Sequence, residues 1–79
     1  MQCMKKQVYY LAPNKYYYNY AIEGTCQLSL AFSKGLYTSA YTIKQARLQM
    51  QHTLAKYNCV RYYDIDIDIN DIELVKNYD

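Results

Sequence analysis

The chain has 79 residues, of which 9 are basic and 7 are acidic, and its net charge is +2. This balance excludes a strongly basic nucleic-acid module, and the length allows one domain, residues 1–79, with a single thin core. The 12 tyrosines, beside 2 glycines and 1 proline, argue against a disordered chain. No apolar run is long enough to span a membrane, and residues 1–6 are not followed by the apolar region of a signal peptide. The sequence therefore predicts a cytoplasmic protein whose three cysteines, Cys3, Cys26 and Cys59, are reduced.

The first half of the chain has the pattern of strands separated by turns. Four strands are predicted, at residues 5–11, 16–23, 26–32 and 36–40, and in the second and third of these the side chains alternate between two faces. Turns are expected between them at residues 13–15, at Gly24 with Thr25, and at residues 33–35, where Gly35 can take a positive φ. The side chains expected to face inward are Tyr16, Tyr18, Tyr20 and Ile22 in the second strand and Cys26, Leu28, Leu30 and Phe32 in the third. The last three strands would pair as an antiparallel meander.

A helix is predicted next, over residues 43–57, which contain no glycine or proline. Thr42 and Gln45 match a capping box at its start. Asn58 is expected to end the helix in the left-handed conformation. Apolar residues at spacings of three and four predict a buried face made of Ile43, Ala46, Met50, Leu54 and Tyr57. The outward face would carry Leu48, His52 and Ala55, with Lys44 and Lys56 nearby.

The second strongly patterned segment is residues 59–69, in which isoleucine and aspartate alternate. Strict alternation predicts one strand with a buried face and a solvated face. The buried face would carry Tyr63, Ile65, Ile67 and Ile69, and the solvated face Tyr62, Asp64, Asp66 and Asp68. Residues 71–77 fit either a short helix or a final edge strand. Together the elements predict an α+β fold in which one helix packs on one face of an antiparallel sheet of four to five strands.

No pattern in the sequence indicates catalysis, a cofactor or a metal. The chain has no nucleophile elbow, phosphate-binding loop, dinucleotide-binding glycine motif or zinc-protease motif. The run from Asp64 to Glu73 superficially resembles a calcium-binding loop, but its sixth residue is Ile69 rather than glycine, and Val75 stands where the loop needs glutamate. His52 has no partner motif and is expected to be a solvated helix residue. We therefore predict a protein that is not an enzyme and that needs no cofactor or metal.

The acidic residues are concentrated near the C-terminal end of the chain. Residues 1–63 carry 8 basic residues and 1 acidic residue, whereas residues 64–79 carry 1 basic residue and 6 acidic ones. One interpretation is an acidic strip that docks on a basic, nucleic-acid-binding surface of a partner. The alternatives are an edge strand whose charge prevents aggregation, and a strand that folds back beside basic residues of the same chain. The carboxylates of this strip belong to Asp64, Asp66, Asp68, Asp71 and Glu73.

Tyrosine is the second candidate binding feature. A core of this size cannot hold 12 tyrosine hydroxyl groups with a partner for each, so several must lie at the surface. Exposed tyrosine is enriched at the energetically important positions of protein interfaces, and its ring also stacks on bases. From the alternation, Tyr17 and Tyr62 are the rings expected to be exposed. The alternative interpretation is that many of the tyrosines simply fill the core.

The polarised charge, the surplus of tyrosine and the D-I-D-I-D-I-N-D strip favour a small protein-binding module as the function. In size and composition, the chain resembles the small inhibitors that phages and mobile elements use against host defences, the anti-CRISPR proteins among them. That resemblance implies a larger host protein or nucleoprotein complex as the partner. The alternative is a nucleic-acid-binding domain whose phosphate contacts would come from Lys5, Lys6, Lys15, Lys34, Lys44, Arg47 and Arg61. A structural subunit that self-associates through an edge strand is a third hypothesis.

Overall fold

The computed structural model describes residues 5–13, 15–20, 24–27 and 35–75, and for residues 17–20 and 24–27 it describes the backbone alone. In chain order, the strands are β1 (Gln7–Leu11), β2 (Tyr17–Tyr20), β3 (Gly24–Gln27), β4 (Leu36–Ala40), β5 (Ile65–Asp66) and β6 (Ile72–Val75). The helix α1 (Ile43–Asn58) follows β4, and one-turn 3-10 helices at Tyr62–Asp64 and Ile69–Asp71 precede β5 and β6. The predicted α+β class is confirmed.

Within the described residues, the strands form two antiparallel sheets of three strands, in the orders β4-β1-β6 and β3-β2-β5. The predicted single sheet of four to five strands is therefore not confirmed. β4 pairs with β1 and not with β3, so the predicted meander is wrong at its last step. This pairing places Leu11 opposite Leu36, and both side chains are buried. The burial of apolar residues from two strands that are distant in sequence decides the partner of β4.

The predicted turn at Gly24 is wrong, whereas the predicted positive φ of Gly35 is confirmed. Gly24 and Thr25 were expected to form a turn, but both belong to β3, where they pair with Tyr20 and Asn19 of β2. Gly35 takes the expected positive φ, at 87°. For residues 71–77, the edge-strand alternative matches β6, which lies at the edge of its sheet. Seven side chains that were predicted to face inward are not among those that the structure describes: Tyr18, Tyr20, Ile22, Cys26, Leu28, Leu30 and Phe32.

Helix α1 begins with the predicted cap. Thr42 Oγ1 accepts a hydrogen bond from the backbone N–H of Gln45 (3.1 Å), and Gln45 Oε1 accepts one from the backbone N–H of Tyr41 (2.7 Å). The first bond satisfies a backbone donor that a helix start leaves without an intrahelical partner. The second holds the backbone one residue before the N-cap Thr42, so the reciprocal bond of the capping box goes to Tyr41 instead. The end lies one residue beyond the prediction. Asn58 stays helical and donates its side-chain amide to the carbonyl of Leu54, while Cys59 takes the left-handed conformation (φ 57°).

The core is built from the helix and from both sheets, because α1 contacts β4 in one sheet and β5 in the other. Of the predicted helix core, Tyr57 is exposed, whereas Ala55 is buried although it was assigned to the outward face. Both assignments are wrong. The contacts of α1 with residues 62–66 include the buried hydrogen bond of Gln51, one helical turn before Ala55, so the packed face lies further round the helix than the apolar spacing predicts. The remaining predicted helix core residues are Ile43, which is partly buried, and Ala46, Met50 and Leu54, which are buried. The other buried apolar residues are Tyr9, Leu11, Tyr16, Leu36, Ala40, Ile65, Ile67 and Ile72.

Residues 59–69 do not form the predicted continuous strand. A 3-10 helix precedes β5, β5 itself spans only two residues, and a second 3-10 helix begins at Ile69. Ile65 and Ile67 are buried as predicted, but Tyr63 is 61% exposed, so its assignment to the inward face is wrong. Aspartates aligned on one face of a strand repel each other, and the two 3-10 helices remove that alignment.

Candidate functional site

The candidate site is the acidic segment, residues 64–73, whose backbone is held by two side chains of α1. Gln51 Nε2 donates a buried hydrogen bond to the carbonyl oxygen of Ile65 (2.9 Å), and Arg47 Nε donates one to the carbonyl oxygen of Ile67 (2.7 Å). Arg47 and Gln51 lie one helical turn apart, so they reach alternate carbonyls of the same segment. The isoleucines beside these contacts are buried, and Asp66 between them is exposed.

The two 3-10 helices give the acidic segment its shape. In the first, the backbone N–H of Asp64 donates to the carbonyl of Arg61 (3.1 Å), and in the second that of Asp71 donates to the carbonyl of Asp68 (2.9 Å). Asp68 also caps the second 3-10 helix, because its Oδ1 accepts a hydrogen bond from the backbone N–H of Asn70 (3.0 Å). An aspartate that accepts a backbone N–H at a helix start is held in place by that bond. The carboxylate of Asp68 is therefore fixed while it remains exposed.

The five predicted acidic site residues differ in exposure. Asp66, Asp68 and Glu73 are exposed, whereas Asp64 and Asp71 are partly buried. Glu73 lies in β6, opposite Tyr10 of β1, and so belongs to a different sheet from Asp66 of β5. The carboxylates thus follow a folded path rather than one flat strand face.

Asp64 is engaged within the chain by Arg61. Arg61 Nε and Nη2 lie 2.7 and 2.6 Å from Asp64 Oδ2. The guanidinium carbon of Arg61 also lies 5.0 Å from the centre of the Tyr63 ring. The hydrogen bond to Asp64, and then the charge of that carboxylate, raise the pKa of Arg61 above its usual value. One alternative to a docking role was that the acidic strip folds back beside basic residues of its own chain. The contact of Asp64 with Arg61 matches that alternative for this one pair of residues.

An aromatic cluster of His52, Tyr62 and Tyr63 lies at the start of the acidic segment. The His52 and Tyr62 rings stack with centroids 4.1 Å apart, and Tyr62 meets Tyr63 edge-on at 5.4 Å. All three side chains are exposed, as predicted for His52 and Tyr62. The contribution of Tyr63 was missed, because strand alternation assigns it to the core. The sequence carries no signal for the stacking of His52 on Tyr62, since ten positions separate them.

The backbone also brings Tyr17 to the acidic segment. β2 pairs with β5 in antiparallel register, and Tyr17 is the partner of Asp66 in that register. Two residues that were predicted to take part in binding, from opposite ends of the chain, therefore occupy neighbouring positions in one sheet. The side chain of Tyr17 is outside the described ones, so its predicted exposure stays a prediction.

The basic residues assigned to the nucleic-acid alternative do not form one free set. Arg61 is paired with Asp64, and the partly buried Arg47 is hydrogen-bonded to a backbone carbonyl, so both are engaged within the chain. Lys6 is exposed, with its Nζ 5.5 Å from the centre of the Tyr41 ring. Lys34 lies outside the described residues. The other exposed lysines of the set are Lys5, Lys15 and Lys44.

The described part of the chain contains no group of three or more histidine, cysteine, aspartate or glutamate side chains arranged to hold a metal ion. It also contains no helix whose length and hydropathy would suit a membrane span. Cys59 is an exposed free thiol.

Comparison with protein-family models, with curated proteins and with solved structures found no match to this chain.

Proposed function

We propose that this chain is a non-enzymatic protein-binding module whose acidic segment docks on a basic, nucleic-acid-binding surface of a larger host complex. Its role would be that of an inhibitor of the kind that phages and mobile elements encode. The observation that carries the proposal is that Asp66 and Asp68 are exposed on a backbone that Gln51 and Arg47 hold in place. Carboxylates on a fixed backbone lose little conformational entropy on binding, so more of their attraction for a cationic surface appears as affinity.

The charge of the acidic segment supports a basic partner. Five carboxylates lie in residues 64–73, and the guanidinium groups of Arg47 and Arg61 contact the segment. The carboxylates still exceed those two cations, and the exposed ones, those of Asp66, Asp68 and Glu73, have no ion-pair partner within the described residues. A surface with this excess attracts cationic surfaces and repels phosphate.

The aromatic cluster supports a protein as the partner. Tyr62 is 38% exposed and Tyr63 is 61% exposed, so both rings offer apolar area beside the carboxylates. Tyrosine contributes large contact area at low entropic cost, which explains its enrichment in protein interfaces. Packing against His52 restricts Tyr62 further, since the two rings stack.

Two other functions remain as alternatives with weaker support. Among the described residues of the predicted nucleic-acid set, Lys5, Lys6, Lys15 and Lys44 are exposed, whereas Arg47 and Arg61 are engaged within the chain. Self-association through an edge strand would use β6, an edge of its sheet. A mass measured by light scattering that stays monomeric at all concentrations would remove the second of these alternatives.

The proposed function predicts a protein partner that is retained without nucleic acid. The tagged full chain is used to capture partners from a lysate of the cells in which it is naturally expressed, with and without nuclease treatment. We expect a stoichiometric protein to remain after nuclease treatment, since the proposed contact is between carboxylates and a protein's basic groups.

Two results would count against this proposal. Recovery that disappears after nuclease treatment would favour the exposed lysines and nucleic acid. A retained protein that stays bound at high salt concentration would show that charge does not hold the complex, because screening weakens contacts between exposed charges.

A further inference from the structure

The contact of Arg61 with Tyr63 and Asp64 has the composition of a guanidinium-binding site. We propose that Tyr63 and Asp64 form such a site, which Arg61 of the same chain fills in the free protein and an arginine of the partner fills in the complex. This inference rests on the proposed function and names the side chain that the acidic segment would recognise.

The geometry suits a guanidinium group better than an ammonium group. Two nitrogens of Arg61, Nε and Nη2, lie within 2.7 Å of Asp64 Oδ2, while the guanidinium carbon is 5.0 Å from the centre of the Tyr63 ring. A guanidinium group is planar, carries several fixed N–H donors and stacks on aromatic faces, whereas lysine offers a compact, strongly hydrated charge. A carboxylate next to an aromatic face therefore selects arginine over lysine.

The occupant, Arg61, is the more exposed member of the ion pair. The Arg61 side chain is 65% exposed, and that of Asp64 is only 19% exposed. Because water solvates the exposed Arg61 guanidinium and screens its attraction to Asp64, this ion pair contributes little net stability. Asp64 and Tyr63 are held by the 3-10 helix and by the ring contact with Tyr62. An arginine that also gains contacts elsewhere in an interface can thus replace Arg61 without rearranging the site.

The charge around Tyr63 argues against a nucleobase as the ligand. Exposed tyrosines can stack on bases, but single-strand binding proteins place cations beside the rings to hold the phosphates. Here the cation beside the Tyr63 ring, Arg61, is paired with Asp64, and the residues that follow include Asp66 and Asp68, both exposed. Their charge repels a phosphate backbone and attracts an arginine side chain.

The test compares two blocked peptides, of six arginines and of six lysines, by calorimetric titration of the full chain at low ionic strength. We expect the arginine peptide to bind about two- to five-fold more tightly than the lysine peptide, the range that an exposed cation–π contact supplies. In Arg61→Gln the site is vacant, so the ratio of the two affinities should rise further. The glutamine keeps the backbone carbonyl that accepts from Asp64.

Two variants separate this effect from a change in net charge. Lys44→Gln also removes one positive charge, from an exposed helix position outside the site. It should raise the affinity for the arginine peptide and for the lysine peptide by the same factor. Tyr63→Leu removes the aromatic face at an exposed position. The arginine peptide and the lysine peptide should then bind with nearly equal affinity. The circular dichroism spectrum of Tyr63→Leu, which we expect to match that of the wild type, checks that the variant is folded.

The outcomes distinguish this inference from the proposed function. Suppose that the two peptides bind with equal affinity, both to the wild type and to Arg61→Gln, and that replacement of Asp66 by lysine abolishes their binding. This result would overturn the inference and leave the proposed function standing. A ratio that Tyr63→Leu leaves unchanged would overturn it as well. If neither peptide binds to the wild type or to Arg61→Gln, the inference and the proposed function both fail.

Discussion

Replacement of Leu54 by alanine is expected to lower the free energy of unfolding by about 2–5 kcal/mol, the range found for leucines removed from well-packed cores. Leu54 is 0% exposed and lies on the helix face that carries Met50. Small domains have total stabilities of only about 5–10 kcal/mol, so this loss would leave a large fraction of the chain unfolded at modest urea concentrations. Urea unfolding followed by circular dichroism measures the change.

Leu48→Ala is the matched control for this variant. It makes the same chemical change in the same helix, but Leu48 is 46% exposed. We expect a change within about 0.5 kcal/mol, as for most surface substitutions. Equal losses in the two variants would show that α1 does not pack in the orientation described here.

Replacement of Gly35 by alanine should have the second-largest effect on stability. Gly35 has a φ of 87°, and a Cβ atom there would lie 2.7 Å from the carbonyl oxygen of Leu11 and 2.7 Å from the Tyr10 hydroxyl oxygen. A positive φ strains any residue that carries a Cβ, at about 1–3 kcal/mol. Leu11 belongs to β1, the central strand of its sheet, so its carbonyl cannot move away easily. Urea unfolding is again the measurement.

Gly35→Asn separates the two causes of this loss. Asparagine tolerates positive φ better than alanine does, but it has the same Cβ atom. If strain alone is responsible, the asparagine variant should recover most of the lost stability. We expect it to remain clearly less stable than the wild type, because the approach to Leu11 is unchanged. An alanine variant as stable as the wild type would contradict the positive φ of Gly35 and its close approach to Leu11.

Helix α1 and its cap are the part of the fold that the sequence predicts best. The signals for them are local: Thr42 and Gln45 lie three residues apart, and the apolar residues recur at the helical period. Such signals depend on neighbours within one or two turns, so they predict that the helix forms and where it begins. The helix end shifted by one residue, from Asn58 to Cys59, and the predicted faces of Ala55 and Tyr57 were wrong because they depend on packing against the rest of the chain.

The pairing of the strands could not be predicted in the same way. β4 pairs with β1, although β2 and β3 lie between them in the sequence. The alternation of side chains within a strand carries no information about which strand it pairs with. The alternation of isoleucine and aspartate in residues 64–69 correctly marks Ile65 and Ile67 as buried. It does not distinguish a continuous strand from a short strand between 3-10 helices, because both can bury every second residue.

The candidate site was predicted in part for the same reason. The exposure of Asp66 and Asp68 follows from alternation, whereas the contacts of Gln51 and Arg47 with the acidic segment join residues far apart in the chain. One signal could have indicated these contacts. Arg47 and Gln51 are long polar residues spaced by four beside the apolar face, a position from which side chains reach a neighbouring backbone.

The most direct test of the proposed function uses a variant that combines Asp66→Lys with Asp68→Asn. The measurement is the affinity of this variant for the protein partner that is retained after nuclease treatment. Asparagine at position 68 keeps the oxygen that caps the second 3-10 helix, and residue 66 is exposed, so the fold should be retained. Lys44→Glu, a charge reversal at an exposed helix position, is the control. We expect the acidic-segment variant to bind about 30-fold more weakly or worse, equivalent to about 2 kcal/mol, while the control binds no more weakly than the wild type. Wild-type affinity in the acidic-segment variant would contradict docking through Asp66 and Asp68.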